Sequence, residues 1–339
     1  MSVLRALVRR GLVKSSNILT HGYCLDGLIS ASLFTIWLDL SGERSNRRYR
    51  TCGYSPKLKT LPSAWFDADV NALLDFRFAD HPKLTHYIDH HATAFRDAAE
   101  QAAALESAAS GQRVVHFDPE AKSCAGLIVR AARQHGLEIV HEELITLADQ
   151  VDSASFANAE EPFFARSPGL QLADVAERHA DTSFVARMCP LLIERSLVEI
   201  AKLPEIVDKA NAIALNKTRF LAAIKATGQL RGEVAVVDLT TAKGVSVAGK
   251  FATYLAFPRC RYSATLLRTQ EQLKLGIGHN PFAEMPRKHD IGALCRRYGG
   301  GGHRAVGAIN FVARDLDNAR RVLSEVAALL AQEPGPESA

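Results

Sequence analysis

The stretch LTHYIDHHAT (84–93) decides how the chain is read. Its apolar half ends in an acid and two adjacent histidines, which predicts a strand over 84–91 with a polar C-terminal end. Adjacent histidines contribute little to a hydrophobic core, whereas imidazole is a common metal ligand. Neighbouring segments repeat the pattern: SNILTHG (16–22), VNALLDF (70–76) and RVVHFDP (113–119) each read as strands closing on polar residues. Helical patterns lie between and after them at 27–40 and at CAGLIVRAARQHG (124–136), the latter stopped by Gly136. Strands alternating with helices imply an α/β fold with a mostly parallel sheet flanked by helices, and in such sheets ligands bind at the carboxyl edge of the strands.

Hard ligands gather at that edge. HGYCLDG (21–27) offers His21 and Asp26, LLDFRF offers Asp75, IDHHA offers 89–91, and LADQVDSASF offers Asp149 or Asp152. Two divalent cations at one site need several ligands and a bridging carboxylate, and dispersed loops can supply them. Taken singly each residue has a plainer reading, since an Asp at a strand end also forms turns and caps helices.

The composition sets the frame. With 339 residues, 47% hydrophobic and 23% charged, the chain has the makeup of a soluble globular protein of about two domains. A net charge of +4 is too small to hold the whole chain on nucleic acid, so a local anion site is the better expectation. The six cysteines stand singly with no C-x-x-C pair, which points to a reducing, cytoplasmic setting and away from a zinc knuckle. No apolar run reaches the roughly 20 residues of a membrane helix, so no membrane partner is expected. The basic opening MSVLRALVRRGLVKSS reads as a first helix, with an organelle transit peptide as the alternative.

Residues 1–189 are expected to form the ligand-bearing domain, with 141–152 helical and 156–169 irregular. A helical connector is expected over 190–228, and a smaller α/β domain over 229–330. Its strands are GEVAVVDLT, RYSATLLRT, QLKLGIG and GAINFV; its helices are VAGKFATYLAF, DIGALCRRYG and LDNARRVLSEVAALLAQ. The tail 331–339 has a disordered composition. Within the second domain YGGGGHRAVGA (298–308) strips side chains from four consecutive positions, which lets backbone N–H groups approach a phosphate, with His303 and Arg304 as further donors. A flexible turn is the plainer reading of the same glycines.

IDHHAT (88–93), preceded by an Asp-bearing strand and a His/Asp turn and followed by YGGGGHRAVGA, resembles the DHH phosphoesterase superfamily with its associated C-terminal domain, from about residue 17 to 330. The resemblance implies Mn²⁺ or a similar ion in the first domain, and hydrolysis of phosphate esters in nucleotides or short single-stranded oligonucleotides. By position it makes Asp26, Asp75 and His90 metal ligands, with Asp75 the bridge and a catalytic residue. It places His91 beside the scissile phosphate or orienting a neighbour. DSASF (152–156) is similar to the family's Asp-Thr-Gly-x-Phe segment, which favours Asp152 over Asp149. Gly300, Gly301, Gly302, His303 and Arg304 would hold the substrate end remote from the cleaved bond, across a cleft between the domains. SATLLRT (263–269) is similar to the family's Ser-x-x-Arg strand, making Arg268 a clamp for a terminal phosphate. His279 and Asn280 are further candidate contacts. Pyrophosphate or polyphosphate is the alternative substrate, and homodimerisation is left open.

The first turn departs from the family pattern of His, Asp four residues on, and Asp two further. Here His21 is followed at three by Cys24 and then by Asp26. Three readings stand: Cys24 ligates a metal softer than Mg²⁺ or Mn²⁺; it is a bystander in a site completed by His21, Asp26 and water; or the site is impaired and the protein is a nucleotide-binding regulator.

Overall fold

The computed structural model describes residues 15–53, 60–242, 249–269 and 272–332; the expected opening helix or transit peptide and most of the expected disordered tail lie outside them. The chain divides into two compact units, one of residues 1–155 and 165–210, the other of 156–164 and 211–339.

The first unit is built on five parallel strands. β1 (Ser15–His21) has five fully covered residues between two half-buried ends, the burial of a central parallel strand with helices on both faces. It leads into α1 (Leu25–Leu40), which buries 13 of its 16 residues. The entry turn is pinned at Gly27, where a Cβ would lie 2.3 Å from the His21 carbonyl oxygen. There the Thr20 hydroxyl donates to the Gly27 carbonyl at 2.8 Å. β2 (Asn46–Cys52), β3 (Val70–Leu74) and β4 (His86–Asp89) follow. After α2 (Ala98–Ala109) comes β5 (Val114–Phe117), and the sheet order is β2-β1-β3-β4-β5. α3 (Cys124–Gln134) and α4 (Glu142–Asp152) pack against α1. The short α5 (Glu160–Phe164) lies in the segment assigned to the second unit. α6 (Pro168–His179), α7 (Thr182–Glu194) and α8 (Leu197–Ala201) complete the first, and the division between units falls within α9 (Pro204–Thr227).

Several elements escape the periodicity reading: the stretch expected to be irregular, 156–169, contains the helical turn α5, and α6, most of α7, β2 and α2 are not marked by it. β2, NRRYRTC, fully buries only Cys52. As an edge strand it carries three arginines that mask its β pattern. α2 buries only Ala104 and Ser107 and owes its start to Asp97, which accepts the Glu100 N–H at 2.8 Å.

The second unit carries a six-stranded mixed sheet. Its elements are β6 (Gln229–Arg231), β7 (Val234–Asp238), α10 (Ala252–Ala256), β8 (Tyr262–Arg268), β9 (Gln272–His279), α11 (Ile291–Arg296), β10 (Gly301–Gly302), β11 (Val306–Val312) and α12 (Leu316–Ala331). Strand order is β10-β11-β9-β8-β7-β6, with only β7 and β8 paired in parallel. α12 packs Val322, Val326 and Leu330 into a core with Leu266, Leu275 and Ile309. α5 is secured by Lys217, whose Nζ donates to the carbonyls of Pro162 (3.2 Å) and Phe163 (2.8 Å).

Candidate metal centre

The ligand turns of the first unit are assembled by backbone contacts from distant segments. After His21 the Gly22 N–H donates to the Cys52 carbonyl at 2.8 Å, and the Tyr23 N–H to that of Ala180 at 2.9 Å, with Tyr23 held at φ 55°. Cys24 then occupies the N-cap of α1 in extended conformation, yet its side chain makes no capping hydrogen bond. Asp26, in the first turn of α1, is buried. Its carboxylate accepts the N–H groups of Cys124 (2.7 Å) and Ala125 (3.0 Å). These are amides of the first turn of α3 that have no partner inside their own helix, so Asp26 is immobilised by the positive end of α3.

Asp75 follows β3 in the left-handed region, φ 53°, with its N–H on the Ile88 carbonyl at 3.1 Å. It is 1% exposed, and its carboxylate oxygens lack an aligned hydrogen-bond partner, although the Cys24 thiol interacts with them. Oδ2 lies 3.9 Å from His21 Nδ1, while Oδ1 lies 3.8 Å from His90 Nε2 and 3.7 Å from His91 Nδ1. The two oxygens therefore face two sides, which is the disposition of a bridging carboxylate.

The histidine turn has a division of labour. Asp89 is fully buried and accepts the Tyr87 hydroxyl (3.0 Å), the His90 N–H (2.9 Å) and His91 Nδ1–H (2.8 Å), so it orients its neighbours and is spent as a ligand. His90 Nδ1 donates to the Ala121 carbonyl at 3.0 Å, which leaves the Nε2 lone pair free. Buried Nε2 has no aligned hydrogen-bond partner although Asp152 Oδ2 is 3.2 Å and Asp26 Oδ2 3.6 Å away. Of the two acids on α4, Asp149 accepts the hydroxyl of Ser123, the N-cap of α3, and so belongs to a helix start. Asp152 is the one that faces His90 and Asp26.

Among the described residues, ligand atoms come within 4.8 Å of one another in three sets: His21, Cys24 and Asp75; Asp75, His90 and His91; and Asp26, His90 and Asp152. Burial and the neighbouring Asp26 and Asp152 raise the Asp75 carboxyl well above the usual carboxylate range. The same causes, burial first and then Asp152, bring Asp26 to about 6. At His90 burial lowers the pKa, but Asp152 and Asp26 outweigh it and lift it to about 9. At His91 the hydrogen bond to Asp89 raises it. Burial, then Asp75 and Asp26, pushes the Cys24 thiol well up. Such mutual repulsion, with buried oxygens and an imidazole lone pair lacking aligned partners, fits a pair of divalent cations held by His21, Cys24, Asp26, Asp75, His90 and Asp152.

In the second unit the glycine loop is constrained unequally. A Cβ at Gly300 would meet the Ala308 carbonyl oxygen at 2.2 Å, and Gly302 sits at φ 147° with a Cβ position 2.3 Å from the Val306 carbonyl oxygen. A Cβ at Gly301 would enter open space. His303 closes the following turn by donating its N–H to the Val306 carbonyl at 2.8 Å. Arg304 is exposed, its Nε 3.7 Å from Asp290.

Arg268 is not brought to this loop. It pairs with Leu273 at one end of β8, whereas Gly301 pairs with Ala308 and through it with Gly276. The offset of three residues and three strand spacings separates them by about 17 Å. The guanidinium donates instead to the Ala313 carbonyl at 3.0 Å. The strand residue beside the loop is His279, whose N–H donates to the Ala305 carbonyl at 2.8 Å and whose Nε2 contacts the Met285 carbonyl at 3.0 Å. Asn280 is fully buried and donates to the carbonyls of Pro258 and Cys260, so it shapes the loop.

The sequence reading also missed the supports. That Ala121 would set the His90 tautomer, and Cys124 and Ala125 would clamp Asp26, is written only in the packing of α3. Ser123 was the available signal, a capping residue that marks where unpaired amides begin.

No family model matches the chain, and no curated protein does. Solved structures do. The pGpG-specific phosphodiesterase PggH from Vibrio cholerae is similar over 93% of this chain and 99% of its own, with 19% identity and a TM-score of 0.64. RecJ from Thermus thermophilus in complex with Mn²⁺ is similar over 98% of this chain and 55% of its own, with 12% identity and a TM-score of 0.56. The DHH domain of a protein assigned to a ribosomal-protein family is similar over 97% of this chain and 89% of its own, with 14% identity and a TM-score of 0.56. The fold of this chain is the one that these solved structures, a DHH domain among them, share.

Proposed function

We propose that the first unit is a metal-dependent phosphoesterase centre that hydrolyses dinucleotides or short oligonucleotides with divalent cations, Mn²⁺ among them. The observation that carries this reading is Asp75, whose two buried oxygens face separate sets of ligand atoms. A bound cation pair supplies an acidified water and neutralises charge at the phosphoryl group.

The chain's own residues do the rest. Asp26, clamped by two α3 amides, and His90, locked in one tautomer by Ala121, present ligand atoms without reorganisation. His91 is held at Nδ1 by Asp89, which keeps its Nε2 for a phosphate or leaving-group oxygen. In the second unit Gly300, Gly301 and Gly302 offer backbone, and His303 and Arg304 side chains, to a phosphate group. Arg268 donates through one nitrogen to the Ala313 carbonyl at the far end of β8 and is not needed for this reading.

The test is hydrolysis of a 5′-phosphorylated dinucleotide by protein stripped with chelator and reloaded with Mn²⁺, the products identified by mass spectrometry. Turnover only in the reloaded protein is expected. Metal binding without turnover under Mn²⁺, Mg²⁺, Zn²⁺ or Co²⁺ would refute the reading, and turnover of pyrophosphate alone would replace the substrate class.

A further inference from the structure

We propose that the two cation positions are chemically unequal. His21, Cys24 and Asp75 form a thiolate-bearing position selective for a borderline cation such as Zn²⁺, Fe²⁺ or Co²⁺. Asp26, His90 and Asp152 form an oxygen-rich position suited to Mn²⁺ or Mg²⁺. This rests on the two-cation reading above and adds which position takes which class of ion.

The two sets share no residue, and within each the ligand atoms lie within 4.8 Å of one another. One offers nitrogen, sulfur and oxygen; the other offers nitrogen and two carboxylates. Thiolate ligands favour Zn²⁺ and other softer ions, while carboxylates favour Mg²⁺ and Mn²⁺. Asp75 belongs to the first set through Oδ2, near His21, and turns Oδ1 toward His90 of the second. Its oxygens, buried and approached by the Cys24 thiol and the imidazoles of His21, His90 and His91, are the independent mark of a ligand between the sets.

Cys24 is set apart from the other cysteines. The remaining five are buried, and two of them spend their thiols on carbonyls, Cys124 on Ile88 at 3.2 Å and Cys189 on Leu28 at 3.8 Å. Cys24 alone is partly open, and its thiol sits beside the carboxyls of Asp75, Asp26 and Asp152. Two consequences follow for chemistry. Forming the sulfur–metal bond releases the thiol proton to solvent, so occupancy of this position falls with acid. A mixed pair of ions fills the centre better than two equivalents of either.

The experiment uses the full chain, stripped and kept reduced, titrated with Co²⁺ while absorption and bound metal are recorded. A near-ultraviolet sulfur-to-cobalt charge-transfer band that saturates with one of two bound equivalents is expected. In Cys24→Ser the band should vanish while the other equivalent still binds, with circular dichroism reporting an unchanged fold. Cys24→Asp should lower the preference of the first position for Zn²⁺ over Mn²⁺ by at least about tenfold. Bound Co²⁺ should also protect Cys24 of the unmodified sequence from alkylation, a readout that needs no variant. Two bound equivalents with neither band nor protection overturn the unequal-site proposal alone. Binding of no cation at all overturns it together with the two-cation reading.

Discussion

The ligand cluster of the first unit and the glycine loop of the second solve the same problem, presenting polar atoms to a charged group, by opposite means. The cluster draws on residues from 21 to 152, and its geometry depends on amides and carbonyls of Ala121, Cys124 and Ala125 that no side-chain pattern announces. The loop is contiguous, and its geometry is set by the steric demands of Gly300 and Gly302 against their own hairpin partner. A dispersed site is therefore sensitive to single side chains, and a contiguous one to backbone freedom.

Asp75→Asn should break the cluster most severely. Loss of the charged bridge is expected to reduce kcat of the Mn²⁺-loaded protein by about 10²–10³-fold or more. Thermal stability of the apo protein should hold or rise, since a desolvated carboxylate is removed. A variant that kept near-normal turnover would remove Asp75 from the centre.

The two acids of α4 sharpen the same contrast. Asp152→Asn should lower the affinity of one cation by about 10–100-fold, read by competition with a chelating dye. Asp149→Asn should leave metal stoichiometry intact and cost only about 1 kcal/mol of stability, through its hydrogen bond to Ser123. Equal metal loss in both would mean that α4 acts as a whole.

In the loop, Gly302→Ala should destabilise the second unit by about 1–3 kcal/mol because its φ of 147° is closed to side chains. Gly301→Ala should leave the urea midpoint unchanged and act, if the loop holds a phosphate, by raising KM several-fold without a matching fall in kcat. A loop in which both substitutions were silent would be an ordinary turn.

Acid should act on the first unit through histidines outside the ligand cluster. Burial, helped by His135 and His116, lowers the His86 pKa from 6.5 to about 3, and burial with His135 brings His116 to about 4. Because the folded pKa is depressed, the unfolded chain binds the proton first, and stability present above pH ~6.5 is lost as pH falls toward the folded values. His86 alone accounts for about 2 kcal/mol between pH 6.5 and 5. Urea midpoints at pH 7.5 and 5.0 measure this, and a flat profile would mean that His86 is hydrated.

Much of the fold is legible without coordinates because burial imposes a period. β1, β3, β4 and α3 stand out as apolar segments with marked ends, whereas β2 and α2 do not, since an arginine-rich edge strand and an alanine-rich surface helix bury too little to leave one. The candidate ligands are readable as residue types at strand ends. Arg268 shows what such reading leaves open: a short motif match specifies a residue on a strand, while hydrogen-bond register decides which end of the strand it occupies.

By itself, then, the sequence determined the alternation of elements, the placement of His21, Cys24, Asp26, Asp75, His90 and Asp152 at helix and strand ends, and the glycine run. Only the tertiary structure decided that Asp152 faces His90 while Asp149 holds the Ser123 cap of α3, that Asp89 orients His91 while the two oxygens of Asp75 turn to His21 and His90, and that the Arg268 guanidinium donates to the Ala313 carbonyl. The physical reason is range. Helix and strand patterns follow from local backbone geometry and burial, whereas a ligand's orientation is set by hydrogen-bonding groups that only folding brings beside it.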